Sequence, residues 1–384
     1  MKLRKDKWEL VLIGEVVSEL RNTTNNPLED GYEKYVGFEH IESENIYLNE
    51  FGDLNDGVTF KKTFERNDVL FGKIRAYLKK VAVAPIDGIC SGDILVLRTA
   101  NENKLSQKLL PYFLTTESFL KRAVDSSIGT TLPRTKWQHL AKHKIPLPPL
   151  EEQKQIAALF QSIETAMEQV DGQEKRLKAL KNKLLGDLFS EKKVLGNHLK
   201  ENDFEKLRFE KIAFQISERE EPKQTTLQTY VGLEHLEPDN LVIERTGIPS
   251  DVIGTKLKIY KGDIIFGKRR AYQRKVAISH FDGIASAHSM ILRANEKMIE
   301  KDFLPFFMQS DEFMNRAVQI SEGSLSPTIK WKTLAQQEFT LPKKEKQKEL
   351  VAVFKQFDET REHLKQQKAT LKLLKQKLLN EILG

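Results

Sequence analysis

Apolar residues along this 384-residue chain follow two rhythms. The first is a set of short alternating runs, such as Ile94-Leu-Val-Leu97 and Ser289-Met-Ile-Leu292, in segments rich in Gly and Pro. Such runs predict strands. Asn67-Asp leads into Val69-Leu-Phe71 and Gly262-Asp into Ile264-Ile-Phe266, which reads as a turn feeding a strand. Helical stretches, Leu109 to Val124 and Phe303 to Ile320, lie between such runs. That mixture predicts α+β globular domains.

The second rhythm is a heptad. After Ile145-Pro-Leu-Pro-Pro149 a proline-free run extends from Leu150 to about Phe189. Its apolar positions are Ile156, Phe160, Ile163, Met167, Val170, Leu177, Leu184 and Leu188, with Glu174 and Lys181 at two seam positions. The end of the chain repeats the phase with Leu350, Phe354, Phe357, Leu364, Leu371, Leu378 and Ile382, interrupted by Arg361, Lys368 and Lys375. At ~1.5 Å per residue each helix is on the order of 60 Å long. A helix that long cannot bury its own seam, so the two are expected to pair as a coiled coil. The spacing leaves parallel and antiparallel pairing open.

The two rhythms recur because the chain is duplicated. Tyr35-Val-Gly-Phe-Glu-His-Ile-Glu42 returns as Tyr230-Val-Gly-Leu-Glu-His-Leu-Glu237. Phe71-Gly-Lys-Ile-Arg-Ala-Tyr-Leu-Lys-Lys-Val-Ala82 returns as Phe266-Gly-Lys-Arg-Arg-Ala-Tyr-Gln-Arg-Lys-Val-Ala277. Asp87-Gly-Ile, Leu97-Arg98, Lys136-Trp137 and Leu147-Pro148 return in the same order as Asp282-Gly-Ile, Leu292-Arg293, Lys330-Trp331 and Leu341-Pro342. A tandem duplication gives the expected plan. It is a globular domain over 1–149, a long helix over 150–192, a second domain over 193–342 and a second helix over 343–384.

Charge narrows the function without naming it. Net charge is +7, from 62 basic and 55 acidic residues. The segment 343–384 carries 11 basic against 6 acidic groups, so the globular domains are nearly neutral. Any nucleic-acid face on them must come from local clustering. Such clusters occur at equivalent places. Lys73, Arg75, Lys79 and Lys80 flank Tyr77; Lys268, Arg269, Arg270, Arg274 and Lys275 flank Tyr272 and Gln273. Cations around an aromatic suit phosphates and base edges, while a charged, solvated edge is the plainer alternative. Ile74, Leu78 and Lys79 become Arg269, Gln273 and Arg274 in the second copy, and these differences are the expected seat of base preference.

Other chemistry is sparse. A single cysteine, Cys90, excludes internal disulfides and Cys-rich zinc sites. No run approaches ~18 apolar residues, and Met1 to Trp8 has no apolar export stretch, which points to a soluble intracellular protein. Asp93 with Glu102-Asn103-Lys104 is a weak nuclease spacing, and the second copy has His288 at the Asp93 position. His139 and His143 lack a third metal ligand, and Thr333 and Gln337 replace them in the second copy. His40 and His235 are expected to be hydrogen-bonded structural groups. No phosphate-binding or dinucleotide-binding glycine motif occurs. No catalytic centre or metal site is expected.

The run Ile145-Pro-Leu-Pro-Pro-Leu-Glu-Glu-Gln-Lys-Gln-Ile156, its counterpart Leu341-Pro-Lys-Lys-Glu-Lys-Gln-Lys-Glu-Leu350, and the Trp137 to Leu140 and Trp331 to Leu334 elements before them resemble one family. It is the specificity (S, HsdS) subunit of Type I restriction-modification systems. The second junction departs from the pattern by lacking the second proline.

The resemblance implies two target recognition domains, each followed by a long helix, the helices forming an antiparallel coiled coil with internal pseudo-twofold symmetry. It further implies a non-catalytic cytoplasmic protein that reads a bipartite site on double-stranded DNA in phage defence. Two adenine-methyltransferase (M) subunits and restriction (R) subunits would be its partners, with no membrane. S-adenosylmethionine, ATP and Mg would bind those partners and not this chain. Two alternatives stand beside it: a DNA-reading subunit of another phage-defence system, and a coiled-coil adaptor that does not bind DNA.

Overall fold

The computed structural model describes residues 3–189 and 199–384. Met1, Lys2, the expected end of the first long helix at 192 and the expected start of the second domain at 193 lie outside these residues. The chain divides into two compact units, residues 1–171 with 365–384, and residues 172–364.

In the first unit an antiparallel sheet runs in the order Val17–Leu20, Ile94–Thr99, Val69–Gly72, Val81–Val83. A second sheet runs Gly52–Asp53, Lys34–Val36, Gly88–Cys90, Lys62–Phe64, with Lys34–Val36 parallel to Gly88–Cys90. Alternate side chains of the first sheet leave on opposite faces. Val69, Phe71, Leu95 and Leu97 join one core with the helices Leu110–Leu114 and Glu117–Asp125. Leu70, Ile94 and Val96 join another with Val36, Phe64 and Cys90 of the second sheet. A sheet covered on both faces explains why Ile94-Leu-Val-Leu97 is apolar without a break.

The second unit repeats the plan. Its first sheet runs Ala213–Ile216, Met290–Ala294, Ile264–Phe266, Val276–Ile278. Ile264, Phe266, Met290 and Leu292 face one core, Ile265 and Ile291 the other. In each unit a two-stranded ribbon, Glu9–Leu12 with Lys144–Leu147 or Phe204–Arg208 with Glu338–Pro342, ties the start of the globular part to the strand just before a long helix.

The long helices span Leu150–Phe189 and Lys344–Leu383. In the first unit Lys375 pairs with Glu164 and Lys368 with Asp171, so one helix rises as the other falls: the pairing is antiparallel. In the second unit Lys181 Nζ lies 2.6 Å from Asp358 Oδ1. Ile156, Phe160, Ile163, Met167 and Val170 are buried as expected, as are Phe354 and Leu364. Elsewhere the stripe is offset by one position. Leu185, Val351 and Leu379 are the fully buried residues, while Leu184, Leu350 and Leu378 are half-buried beside them, and Leu177, Phe357 and Leu371 are also half-buried. A helix with 3.6 residues per turn drifts against a strict heptad. These segments also pack on globular cores, with Tyr112 stacked on Phe160 at 4.9 Å and Phe306 on Phe354 at 5.2 Å.

Candidate nucleic-acid interface

The basic segments begin where a strand stops. In the first unit Val69–Gly72 ends, and Gly72 N–H donates back to Lys80 C=O at 2.9 Å, closing a loop around the segment. Inside it Ala76–Leu78 forms one 3-10 turn with Arg75 (φ 46°) and Lys79 (φ 51°) on its flanks, both left-handed. The second unit repeats this at Ala271–Gln273, with Arg270 at φ 57° and Arg274 at φ 56°, and Gly267 N–H donating to Lys275 C=O at 2.9 Å. A left-handed non-glycine residue costs about 1–2 kcal/mol, so each copy carries that strain twice. The geometry plants a small residue and displays a large one. Ala76 and Ala271 are buried in the core, while Tyr77 and Tyr272 are 57% and 56% exposed.

The cations divide by what they hold. Lys80 Nζ donates to Phe38 C=O at 2.8 Å and sits 4.3 Å from the Phe38 ring centre; Lys275 Nζ donates to Leu233 C=O at 2.7 Å. Both tie the segment to the Tyr-Val-Gly turn and are half-buried. Lys79 donates to Glu44 at 2.8 Å and holds that carboxyl below the usual carboxylate range. Arg274 donates to Asp239, to Asp311 and to the Gln309 carbonyl. By contrast the side chains of Lys73, Arg75 and Lys268 have no hydrogen bond or ion pair among the described residues. Burial, and next Arg219, push the Lys268 ammonium below its ordinary range. Among the described residues the Arg270 guanidinium donates to Ser326 Oγ alone, at 3.3 Å.

The three positions expected to carry base preference are placed unevenly. Ile74 is 9% exposed and points inward, and Lys79 and Arg274 are committed to carboxylates. Gln273 is half-buried. Of the three substituted positions Arg269 is the cation with no carboxylate partner among the described residues; its guanidinium lies 3.1 Å from His288 Nε2 and donates to Ser326 Oγ.

Sequence reasoning also missed a second element of the surface. A hairpin closed by Ile128 and Arg134, and its equivalent closed by Glu322 and Thr328, docks along the basic segment. Arg75 N–H donates to Pro133 C=O at 2.9 Å and Thr135 N–H to Lys73 C=O at 2.9 Å; Arg270 N–H donates to Pro327 C=O at 2.7 Å. The tips project apolar groups, Ile128 and Leu132 in one, Leu325 in the other, all exposed. The shared signal was Gly129 and Pro133 recurring as Gly323 and Pro327, with both glycines at positive φ.

The remaining candidates make contacts within the chain. His40 Nδ1 accepts from Gly37 N–H and His235 Nδ1 from Gly232 N–H, each at 3.0 Å. Asp93 pairs with Arg134 at 3.1 Å. Among the described residues no group of three or more His, Cys, Asp or Glu side chains is placed to hold a metal, and no helix is long and apolar enough to cross a membrane.

Comparison with known proteins agrees with this architecture. A family model described as the Type I restriction modification DNA specificity domain matches residues 5–179 and 246–373. The chain is 29% identical over 179 residues to the EcoDI specificity subunit of Escherichia coli, covering 45% of this chain but only 39% of that protein. It is 22% identical to the MjaVIII specificity subunit of Methanocaldococcus jannaschii, covering 98% of this chain and 92% of the relative. The crystal structure of the Type I restriction-modification S subunit from M. genitalium superposes with a TM-score of 0.55 at 16% identity, over 100% of this chain and 98% of that one. With the family model spanning well over half its length on both copies of the repeat, the chain belongs to the specificity-subunit family of Type I restriction-modification systems.

Proposed function

We propose that the chain reads duplex DNA for a Type I restriction-modification complex, each unit contacting one half of a bipartite site through its basic turn and the hairpin beside it. The observation that carries the reading is the repeated strained turn: two left-handed cationic residues around an exposed tyrosine, in both copies. Backbone strain clusters at binding surfaces, and this segment carries it in both copies. Lys73, Arg75, Lys268 and Arg270 would neutralise phosphates, and the tyrosine rings would lie against sugars or base faces. Lys80 and Lys275 hold the turn in shape.

In this reading the chain performs no chemistry. Two adenine-methyltransferase subunits dock on the paired helices, restriction subunits join them, and S-adenosylmethionine, ATP and Mg²⁺ act in those partners.

Salt dependence of binding tests the proposal. Each phosphate contact contributes about 0.9 to the slope of log affinity against log salt on B-form DNA. Arg75→Ala and Arg270→Ala are expected to weaken binding to every duplex sequence and to lower the slope by about one each. Lys80→Met, which keeps the hydrocarbon stem over Phe38, should leave the slope unchanged and lower stability instead. Unchanged slopes for both arginine variants would remove the turn from the DNA interface.

A further inference from the structure

We infer that Arg134 in the first unit and Arg269 in the second are the base-reading arginines of their half-sites, delivered to equivalent places from opposite sides of one bridge. The inference rests on the DNA-reading function proposed above and assigns its specificity to residues.

The repeat makes the two places comparable. Ile74 faces Arg134 across an antiparallel bridge, and Arg269 faces Thr328 across its equivalent. In the first unit the turn side of the bridge is apolar and buried, and the arginine comes from the hairpin. In the second the arginine comes from the turn, and the hairpin offers a threonine. Each bridge therefore carries one guanidinium, on alternate strands.

Both guanidiniums are anchored by the same third position. Arg134 Nε donates to Asp93 Oδ1 at 3.1 Å, and Arg269 Nη1 lies 3.1 Å from Nε2 of His288, the repeat equivalent of Asp93. Arg269 Nη2 also donates to Ser326 Oγ at 3.0 Å. Burial, and next the nearby Arg269, keep the His288 ring below the ordinary histidine range, so it stays neutral and accepts from the guanidinium. Arg134 has its Nε committed and both terminal nitrogens unengaged among the described residues. Arg269 keeps a second N–H on each terminal nitrogen. A planar fork fixed at one edge is prepared to donate two parallel hydrogen bonds, and the base edge that accepts such a pair is guanine O6 and N7.

Anchor chemistry separates the two halves. Asp93 cancels the charge of Arg134, whereas His288 leaves the charge of Arg269 intact and sits near Lys268 and Lys256. The second reader adds electrostatic attraction to its base contact; the first contributes geometry alone.

The test uses the full-length chain and a library of random-sequence duplex DNA, sequencing the bound fraction. Arg134→Thr is expected to erase a guanine preference in one half of the recovered site, and Arg269→Ala in the other. Discrimination at the affected position should fall about 5- to 150-fold. Adding Ile74→Arg to Arg134→Thr puts arginine and threonine on the bridge as in the second unit, with Asp93 standing where His288 is, and should restore a guanine preference in the first half. A merely structural arginine in the hairpin would not be rescued from the opposite strand. If both single variants bind DNA and recover the parental sequence in both halves, the arginines do not read bases, and DNA reading itself stands. If the unaltered chain retains no duplex, the proposed function falls and this inference with it.

Discussion

Asp68 and Asp263 show what a repeated residue can mean when it has no part in binding. Asp68 is almost fully buried and takes a two-pronged contact from Arg98, at 2.6 and 3.0 Å, while accepting from Glu65 N–H at 2.8 Å. Asp263 does the same with Arg293, at 2.8 and 3.1 Å, and with Tyr260 N–H at 2.9 Å. Leu97-Arg98 and Leu292-Arg293 thus recur in the sequence to hold the turn that starts a central strand. Asp68→Ala would leave Arg98 with Glu65 alone, 2.9 Å away, and a backbone N–H without an acceptor, costing about 1–3 kcal/mol given that Arg98 is partly exposed. Asp68→Asn, which can still accept from Glu65 N–H, should cost less. Urea denaturation of the two variants checks the order; equal losses would place the whole effect on the ion pair. The sequence showed these residues as a repeat but could not show which cations were spent internally. Lys80 and Arg75 look alike in a basic run, and only the carbonyl of Phe38, 42 positions away in the chain, separates them.

At the scale of elements, two of the charges that break the heptad seam, Lys181 and Lys375, are one device drawn twice. Lys375 Nζ is 2.5 Å from Glu164 Oε1, and both side chains are buried. Lys181 with Asp358 is its repeat, since Trp137 and Trp331 set the same offset between copies, and Lys181 also lies 4.9 Å from the Phe306 ring centre. Burial pushes the Glu164 carboxyl up and the Lys181 ammonium down, against the pull of each partner. Such pairs give little net stability but are costly to break. Lys375→Met is therefore expected to destabilise by about 3–5 kcal/mol, and the double change Glu164→Leu with Lys375→Met to recover most of it. A double-mutant cycle by chemical denaturation decides; no recovery would mean the lysine acts through packing alone. The periodicity revealed both helices and most of their buried side because seam residues recur locally. It missed the exchange of Leu184 for Leu185 and of Leu378 for Leu379, because those turns bury against globular cores that periodicity does not see. It missed the Ile128 to Arg134 hairpin for a related reason. That loop reads as an ordinary turn, and its contact with Ile74 spans 60 residues of chain.

For the whole molecule, duplication is the organising fact. Both units carry two four-stranded sheets, the second differing in one edge strand, together with the same strained turn with its tyrosine and the same docked hairpin, and they differ in which strand of the bridge supplies the arginine. A chain built this way is suited to reading two short DNA segments with one chemistry and two different outcomes, which is the central claim. Genome-wide mapping of adenine methylation, in cells making this chain together with its methyltransferase subunits, tests that claim most directly. The account predicts methylated sites made of two short defined blocks separated by a gap of constant length and no sequence preference, with the two blocks altered separately by changes at Arg134 and at Arg269. Methylation at a single continuous sequence, or blocks that change together whichever unit is altered, would contradict it.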